Sequence, residues 1–591
     1  MNTLHLQLFR AVAVMFLLIS VAQSQVPQIT SLSTQTLARS GRLRIFGANF
    51  GSGSGSQVLI GGYSAIVTRW TASQINAYVP ELAGPGLVAV QVMTPGGSSN
   101  TVQLNVTLRQ RQGRVKWAFE ADCDNLWFRP ALAPDGTVYV HGSEGFVFAL
   151  TPDGGLKWIH KVNWYAYVPP AAGPEGEVYV GSIQRLTAIN PDGTERWQFT
   201  DAGAQGVSCG PAIGPDSNIY VANDLGLGAY SLSRTGQLRW NNPGNPQLIW
   251  YGGTGAETVL GPRVNGGPIE QMYVVAEPQL STWTLQAFSL VDGSLRFSVP
   301  IGGQHFSFGQ QQTQPAVGPN GTIYITHMRA AGGVGWVLEA YNASNGQSLW
   351  YYHGNAVSGM TPPDVGPDGI VYYSEDVARI VAFNPNTLSP NWTYQDGTVM
   401  YYPTVSPRND IVVTGGILTF GDVGFVKAIS RTTGQLVWSV PLPGAPYPEP
   451  RVFPVHHPRF SPDGSTVYVS TTILGGSSSD PHSYLYALVA GDTTTDVGIS
   501  PSSPQTFHLD QNYPNPFNPS TTIRFEVTSS GFVSLKVYNL LGQEVATLVK
   551  EVKQPGRYEV KWDASGMPSG VYVYRLQAGT ATATRRMILL K

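Results

Sequence analysis

The stretch that most constrains this chain is Pro130-Ala-Leu-Ala-Pro-Asp-Gly-Thr-Val-Tyr-Val140, followed by Phe148-Ala-Leu-Thr-Pro-Asp-Gly-Gly-Leu-Lys-Trp158. Its apolar residues alternate with the period of a strand. Each Pro-Asp-Gly supplies a tight turn: proline presets φ, aspartate tolerates turn geometry, and glycine accepts positive φ. The stretch therefore predicts two hairpins in series, ending on the large apolar ring of Trp158. The unit recurs. Pro170 through Tyr179 leads to Trp197, and Pro211 through Tyr220 leads to Trp240. A divergent copy runs from Pro262 through Tyr273 to Phe297. Clearer ones run from Pro315 to Trp350, Pro363 to Trp392 and Pro403 to Trp438. The last, from Pro458 through Tyr468 to Leu488, lacks its closing tryptophan. An orphan Arg114-Val-Lys-Trp117 stands ahead of the first copy, as if to supply it.

About eight four-stranded units at this spacing predict the blades of a β-propeller. The orphan strand would complete the last blade and close the ring, leaving no open sheet edge between first and last blades. The Ala-x-x-x-x-Thr-Gly-x-x-x-Trp run of Ala428 to Trp438 resembles the repeat of pyrroloquinoline-quinone (PQQ)-type propellers, and the resemblance covers roughly residues 113–490. It implies a fold, and it leaves function open, because both quinoprotein dehydrogenases and non-catalytic scaffolds use that fold.

Composition agrees with an all-β chain. Gly 67 and Pro 44 in 591 residues, with only 12% charged side chains, is a turn-rich balance. Aromatics at 11% argue against disorder. A net charge of −2 offers no global field for nucleic acid, so no nucleic-acid partner is expected. The two cysteines, Cys123 and Cys209, could pair in an oxidising compartment or remain two buried thiols.

Residues 1–24 read as a secretory signal, with an apolar run from Ala11 to Val21 too short to span a bilayer well. Small residues at Ala22 and Ser24 predict cleavage between Ser24 and Gln25. No later segment is apolar and long enough to cross a membrane, so no transmembrane segment is expected in the mature chain. Residues 26–107, with Gly41-Arg-Leu-Arg-Ile-Phe-Gly-Ala-Asn-Phe-Gly51 and Gly86-Leu-Val-Ala-Val-Gln-Val92, show short alternating strands. They resemble the IPT/TIG immunoglobulin-like family, which implies a spacer or contact surface and no chemistry.

In the propeller, the Pro-Asp-Gly and Thr-Gly turns belong to one face. The other face carries the long connections, and these are rich in aromatics. Trp127, Trp164, Tyr165, Tyr167 and Tyr251 stand there, as do His305, Tyr401, Tyr402 and His456. Converging rings suit a sugar or another flat ligand. Packing between blades is the alternative for any single ring. For the set it is less comfortable, because neighbours such as Tyr401 and Tyr402 cannot both point inward along a strand.

Catalysis has little support in the motifs. The PQQ-type resemblance would imply a quinone over calcium, held by Glu and Asn or Asp ligands, and often an adjacent-cysteine disulfide; no adjacent pair exists here. Asp122, Asp124 and Asn125, with Glu375 and Asp376, are the acidic candidates, without recognisable ligand spacing. No His-Glu-x-x-His or Cys-x-x-Cys is present, and the one Gly-x-Ser-x-Gly match, Gly206-Val-Ser-Cys-Gly210, leads into a strand at Pro211 and not into the helix that a nucleophile elbow needs.

After a small, polar linker at 491–506, residues 507–591 predict a sandwich of about seven strands. The motif Asn512-Tyr513-Pro514-Asn515-Pro516-Phe517-Asn518-Pro519 makes this segment closely resemble the type A sorting domain of type IX secretion cargo. The resemblance implies the type IX machinery as partner and an outer-membrane surface or extracellular destination. The terminal strand Met587-Ile-Leu-Leu590 is expected to be exposed and to suit docking by strand addition. The whole reads as an exported, non-catalytic binding protein without cofactor or metal, whose propeller face takes a carbohydrate or a surface protein. The alternatives are a PQQ- and calcium-dependent oxidoreductase and a structural surface scaffold.

Overall fold

The computed structural model describes residues 26–590, apart from Trp127 and other short internal stretches, chiefly 163–167, 201–209, 223–228, 243–257, 262–269, 302–313, 418–423, 443–450, 454–457, 475–481 and 492–507. The chain divides into two compact units, Met1–Gly491 and Asp492–Lys591. The predicted signal peptide, with Ser24 and Gln25, lies outside the described residues.

Eight sheets of the first unit form the blades. In the first, Ala131–Leu132, Val138–His141, Phe146–Leu150 and Leu156–Lys161 pair antiparallel in chain order. The middle strands are buried on both faces, as in Val138–His141 and Phe146–Leu150, because each blade packs against two others. The final strands alternate buried and exposed positions, which is why their pattern ends on a tryptophan. Within each blade that tryptophan leans on the tyrosine of the second strand: Trp158 lies 5.6 Å from Tyr139, and Trp197 lies 5.8 Å from Tyr179.

The predicted ring closure is present. Val115–Ala121 pairs antiparallel with Ser483–Val489 and completes the last blade. Trp117 then packs 5.9 Å from Tyr468, as its counterparts do in their own blades. Indole N–H groups stitch one blade to the next. Trp158 donates to the Pro191 carbonyl at 2.9 Å, Trp197 to Arg234 at 2.8 Å and Trp438 to Ala490 at 3.1 Å. Trp117 donates to Pro152 at 2.8 Å and so joins the last blade to the first. One boundary departs from expectation. The fourth inner strand is Val259–Gly261, with Val259 opposite Tyr273, so it precedes Pro262.

The N-terminal sandwich packs Gln28–Leu32, Arg42–Ala48, Gln74–Tyr78 and Ile66–Trp70 against a second sheet centred on Gly86–Thr94 and Val102–Thr107. Leu43, Ile45, Val58, Ile75, Val90 and Leu104 form its core. This sandwich is joined to the propeller's closing strand through buried groups. Arg42, fully buried, pairs with Glu120 at 2.8 Å and with Asp122 at 2.7 Å. Asn76 donates to Asp122 at 3.0 Å and Thr68 does so at 2.5 Å. Tyr78 stacks on Phe119 at 5.4 Å; its hydroxyl donates to the Glu120 carbonyl and accepts from the Asp122 amide. Burial first, then the Asp122 charge, pushes that phenol well above its ordinary pKa.

The second unit is a seven-stranded sandwich. One sheet orders His508–Leu509, Ser520–Val527 and Gly556–Asp563; the other orders Glu544–Lys553, Gly531–Tyr538, Gly570–Ala578 and Ala581–Leu589. The terminal strand is the edge of its sheet, but the stretch Met587–Leu590 is not free for strand addition. Met587 and Leu589 are fully buried, while Ile588 and Leu590 point outward. The edge at 588–590 is also occupied by the chain itself. Ile588 N–H donates to Asn515 Oδ1 at 2.8 Å, Phe517 N–H donates to the Ile588 carbonyl at 2.9 Å, and Leu590 N–H donates to the Phe517 carbonyl at 3.0 Å. Backbone groups already paired cannot template an added strand there.

Candidate functional site

The innermost strand of each blade begins at a shared register. Ala131, Ala171, Ala212 and Ala316 stand opposite Tyr139, Tyr179, Tyr220 and Tyr324. Val259 takes that place in the fourth blade. Three blades depart from small apolar residues. Asp364 stands opposite Tyr372, Thr404 opposite Val413 and Arg459 opposite Tyr468. These three side chains, together with Arg129 from the residue just before Pro130, line a cavity of about 540 Å³ walled by Pro315, Pro363, Pro407 and Pro458. A second hollow of about 410 Å³ shares Asp364, Val365, Val405 and Pro407 with it.

The charged groups of this cavity are held by the fold. Asp364 Oδ1 accepts from its neighbour Val365 N–H at 2.9 Å, and Oδ2 accepts from Val405 N–H at 2.8 Å, across the boundary to the next blade. Burial raises its pKa, while those two amides and then Arg129 and Arg459 pull it back. Burial also works against the charge of Arg129, and the neighbouring Arg459 adds to that; Asp364 acts in the opposite sense. Arg459 reaches channel solvent yet is surrounded by protein, and burial again lowers its pKa against the pull of Asp364. A guanidinium stays protonated under such pressure. Thr404 Oγ1 is buried and meets no hydrogen-bond partner among the described residues.

Most of the aromatic set of the other face lies outside the described residues. Trp127, Trp164, Tyr165, Tyr167, Tyr251, His305 and His456 lie outside the described residues. Tyr401 and Tyr402 are described, and both are buried. They can both be inside because they stand between the short strands Val399–Met400 and Thr404–Val405, where strand alternation does not apply. Burial raises both phenols.

The acidic candidates have other employment. Asp122 is taken up by Arg42, Asn76 and Thr68. Glu375 pairs with Arg379 and accepts from Asn355 N–H at 3.1 Å. Asp376 accepts from Val357 N–H at 3.0 Å and Gly359 N–H at 3.1 Å. Burial raises Asp124 against the pull of Arg69 and His482. Among the described residues no group of three or more His, Cys, Asp and Glu is placed to hold a metal ion. These positions therefore do not fit the calcium set that a quinone cofactor would require. Cys123 is a buried free thiol; Cys209 lies outside the described residues.

The sorting motif is structural in its described part. Asn512 is buried, donates from Nδ2 to Thr521 Oγ1 at 2.9 Å, and offers its N–H to the Tyr574 hydroxyl at 2.8 Å. Phe517 is buried 5.6 Å from Trp562. Tyr513, Pro514 and Pro516 lie outside the described residues; Asn518 and Pro519 are exposed and joined by a cis peptide.

Comparison with known proteins places each part. The family model of the secretion system C-terminal sorting domain matches residues 511–590, which marks the chain as type IX export cargo for the cell surface or the extracellular space. The IPT/TIG domain matches residues 27–108. Among the described residues no helix is long and apolar enough to cross a membrane. A search of curated proteins finds no match. Among solved structures, BamB from Moraxella catarrhalis is similar at 14% identity, covering 62% of this chain and 98% of its own, with a TM-score of 0.44. The Dos1 propeller is similar at 12% identity, covering 63% and 93%, with a TM-score of 0.47. The family model described as outer membrane protein assembly factor BamB matches residues 101–247, 182–353 and 284–472. Those matches together span well over half of the 591 residues, and the chain belongs to that family of PQQ-like propellers.

Proposed function

We propose that this protein is an exported, non-catalytic binding protein of the cell surface or its surroundings, whose propeller face with the long connections takes a carbohydrate. The observation that carries the non-catalytic part is the engagement of Asp122, Glu375 and Asp376 in structural contacts, which leaves those carboxylates no role as metal ligands. Membership of a family described by an assembly factor points the same way. The carbohydrate part rests on the density of aromatic residues in the connections, Trp164, Tyr165 and Tyr167 above all.

The test is a glycan-binding screen on the mature chain, followed by Trp164→Ala and Tyr165→Ala. The expected result is at least a tenfold loss of affinity with an unchanged thermal midpoint. Full binding by the double variant would remove the aromatic face from the account. Tyr401 is unsuited to this test, since its ring is buried and its loss would lower stability whatever the ligand.

A further inference from the structure

We propose that the C-terminal sandwich docks through one end of its four-stranded sheet, where Leu540 and Leu541 project, into an apolar pocket with an acidic rim on a protein of the type IX machinery. The inference rests on the assignment of this unit as a sorting domain and names the surface that is read.

The first support is a turn that the chain builds in both units with different tips. In the propeller, Asn190-Pro-Asp-Gly-Thr194 closes with Asn190 N–H on the Thr194 carbonyl at 2.8 Å and Gly193 N–H on the Asn190 carbonyl at 2.9 Å. Asn539-Leu-Leu-Gly-Gln543 closes by the same two bonds, each at 3.0 Å. Gly193 and Gly542 hold the positive φ that such a turn requires, 89° and 79°. In both turns the asparagine Nδ2 donates to the last side chain, Thr194 Oγ1 at 3.0 Å and Gln543 Oε1 at 2.9 Å. Asparagine and glycine therefore set the backbone, and the turn itself asks nothing apolar of its two tip residues. The propeller turn carries Pro191 and Asp192 there. The sorting sandwich carries Leu540 and Leu541, which are 72% and 84% exposed and lie outside its core.

The second support is what surrounds the tip. Tyr538 stands opposite Val573 and Val571 opposite Ile588, so the turn after Tyr538 and the last residues of the terminal strand lie at one end of the sheet. Ile588 and Leu590 face outward there, with half-buried Val571, Val573 and Tyr538 on the same face. Five large hydrophobic side chains are exposed among the described residues of this unit, and all but Phe532 gather at this end. Clustering of this kind marks a contact surface, whereas scattered single residues would not.

The third support chooses the occupant. The sorting-domain match makes the export machinery the partner of this unit. Residues 507–591 carry ten Lys and Arg against six Asp and Glu, while the rest of the chain carries 25 against 31. Arg575, opposite Lys536, and Arg586, opposite Val573, are exposed on the same outer face as the patch. An apolar centre with a basic border is complementary to an apolar pocket with an acidic rim. The adjoining edge at 588–590 is already paired, so docking here uses the face and the turn.

The experiment follows export of the full chain in a bacterium that has the type IX machinery, comparing the share at the surface and in the medium with the periplasmic share. Leu540→Ser with Leu541→Ser should slow export about tenfold or more, the scale of losing a hot-spot contact, with the melting of the sorting sandwich unchanged. Arg586→Glu should slow it less. Leu87→Ser, at an exposed leucine of the N-terminal sandwich, should change nothing. A photo-crosslinking side chain in place of Leu541 should join the chain to a protein of the machinery during export. Full export of the double serine variant, with the 507–591 deletion held in the periplasm, would overturn the docking face and leave the sorting role standing. Export of the deletion itself would remove the sorting role and the proposal with it. Crosslinking only to a second copy of this chain would overturn the proposal by assigning the patch to another occupant. Binding of the full chain to phosphatidylglycerol vesicles that the double serine variant loses would do the same.

Discussion

In the N-terminal sandwich, Arg42 crosses to Glu120 and Asp122 of the propeller; in the C-terminal sandwich, Asn512 and Arg585 bond to Thr521 and to the Leu509 carbonyl within their own fold. Both are β-sandwiches of short strands with similar apolar cores. What differs is where the buried polar groups find partners. The first sandwich is built into the ring-closing strand, so its polar core and the propeller's last blade form one structure. The second answers its buried amides and its sheet edge with its own sorting motif, and Phe517 completes its core. A domain that serves export gains from folding without help from its cargo. A domain that braces a ring gains from the opposite.

Deleting residues 507–591 should have the largest effect on this comparison. The truncated chain should accumulate in the periplasm while its propeller unfolds at the same midpoint as before, measured by surface labelling and thermal melting. Normal display of the truncation would sink the sorting role of the second sandwich. A crossed pair of substitutions comes next. Asp122→Ala removes one of the two carboxylates paired with buried Arg42, together with the acceptor of Asn76 and Thr68, and should cost about 3–5 kcal/mol in the unfolding of the propeller unit, with export unaffected if the chain still folds. Phe517→Ala opens a cavity beside Trp562 and should cost a similar ~3–5 kcal/mol, but in the sorting sandwich, with the propeller midpoint unchanged. If either substitution shifted both transitions on the full chain, the two sandwiches would not be independent in the way their bonds indicate.

The parts legible in the sequence were those written locally. Alternation and Pro-Asp-Gly turns lie within a few residues of each other, so the blades and the orphan strand at Trp117 could be read directly. Asp122 could not. Read alone it was an acidic candidate for a metal, and only the fold brings Arg42, 80 residues earlier in the chain, to within 2.7 Å of it. Tyr401 and Tyr402 misled for a related reason: the alternation rule was applied to an irregular break between two short strands that pair with the same neighbour. The channel charges were within reach. Aligning the residue after each first-strand proline sets Asp364, Thr404 and Arg459 beside Ala131, Ala171, Ala212 and Ala316, and the departure from alanine is the signal. The edge of Met587–Leu590 was beyond local reading, since its partner, Asn515–Phe517, lies some 70 residues away.

The smallest expected effect tests the seam at which the N-terminal sandwich braces the ring. Trp117→Phe removes the indole donor to the Pro152 carbonyl and leaves an aromatic ring beside Tyr468 and Gly154. The fold already contains this substitution, because Phe297 occupies the equivalent place and packs against Gly346. The cost should therefore be about 1 kcal/mol, one hydrogen bond with most of the packing retained. Gly154→Ala at the same contact should cost more. Its φ of 85° disfavours any Cβ, and that atom would stand 2.6 Å from Trp117 Cγ. Denaturant unfolding of the full chain would rank the two. A Trp117→Phe cost as large as that of Asp122→Ala would mean that the indole bond between the last blade and the first matters as much as the buried ion pair that ties the N-terminal sandwich to the closing strand.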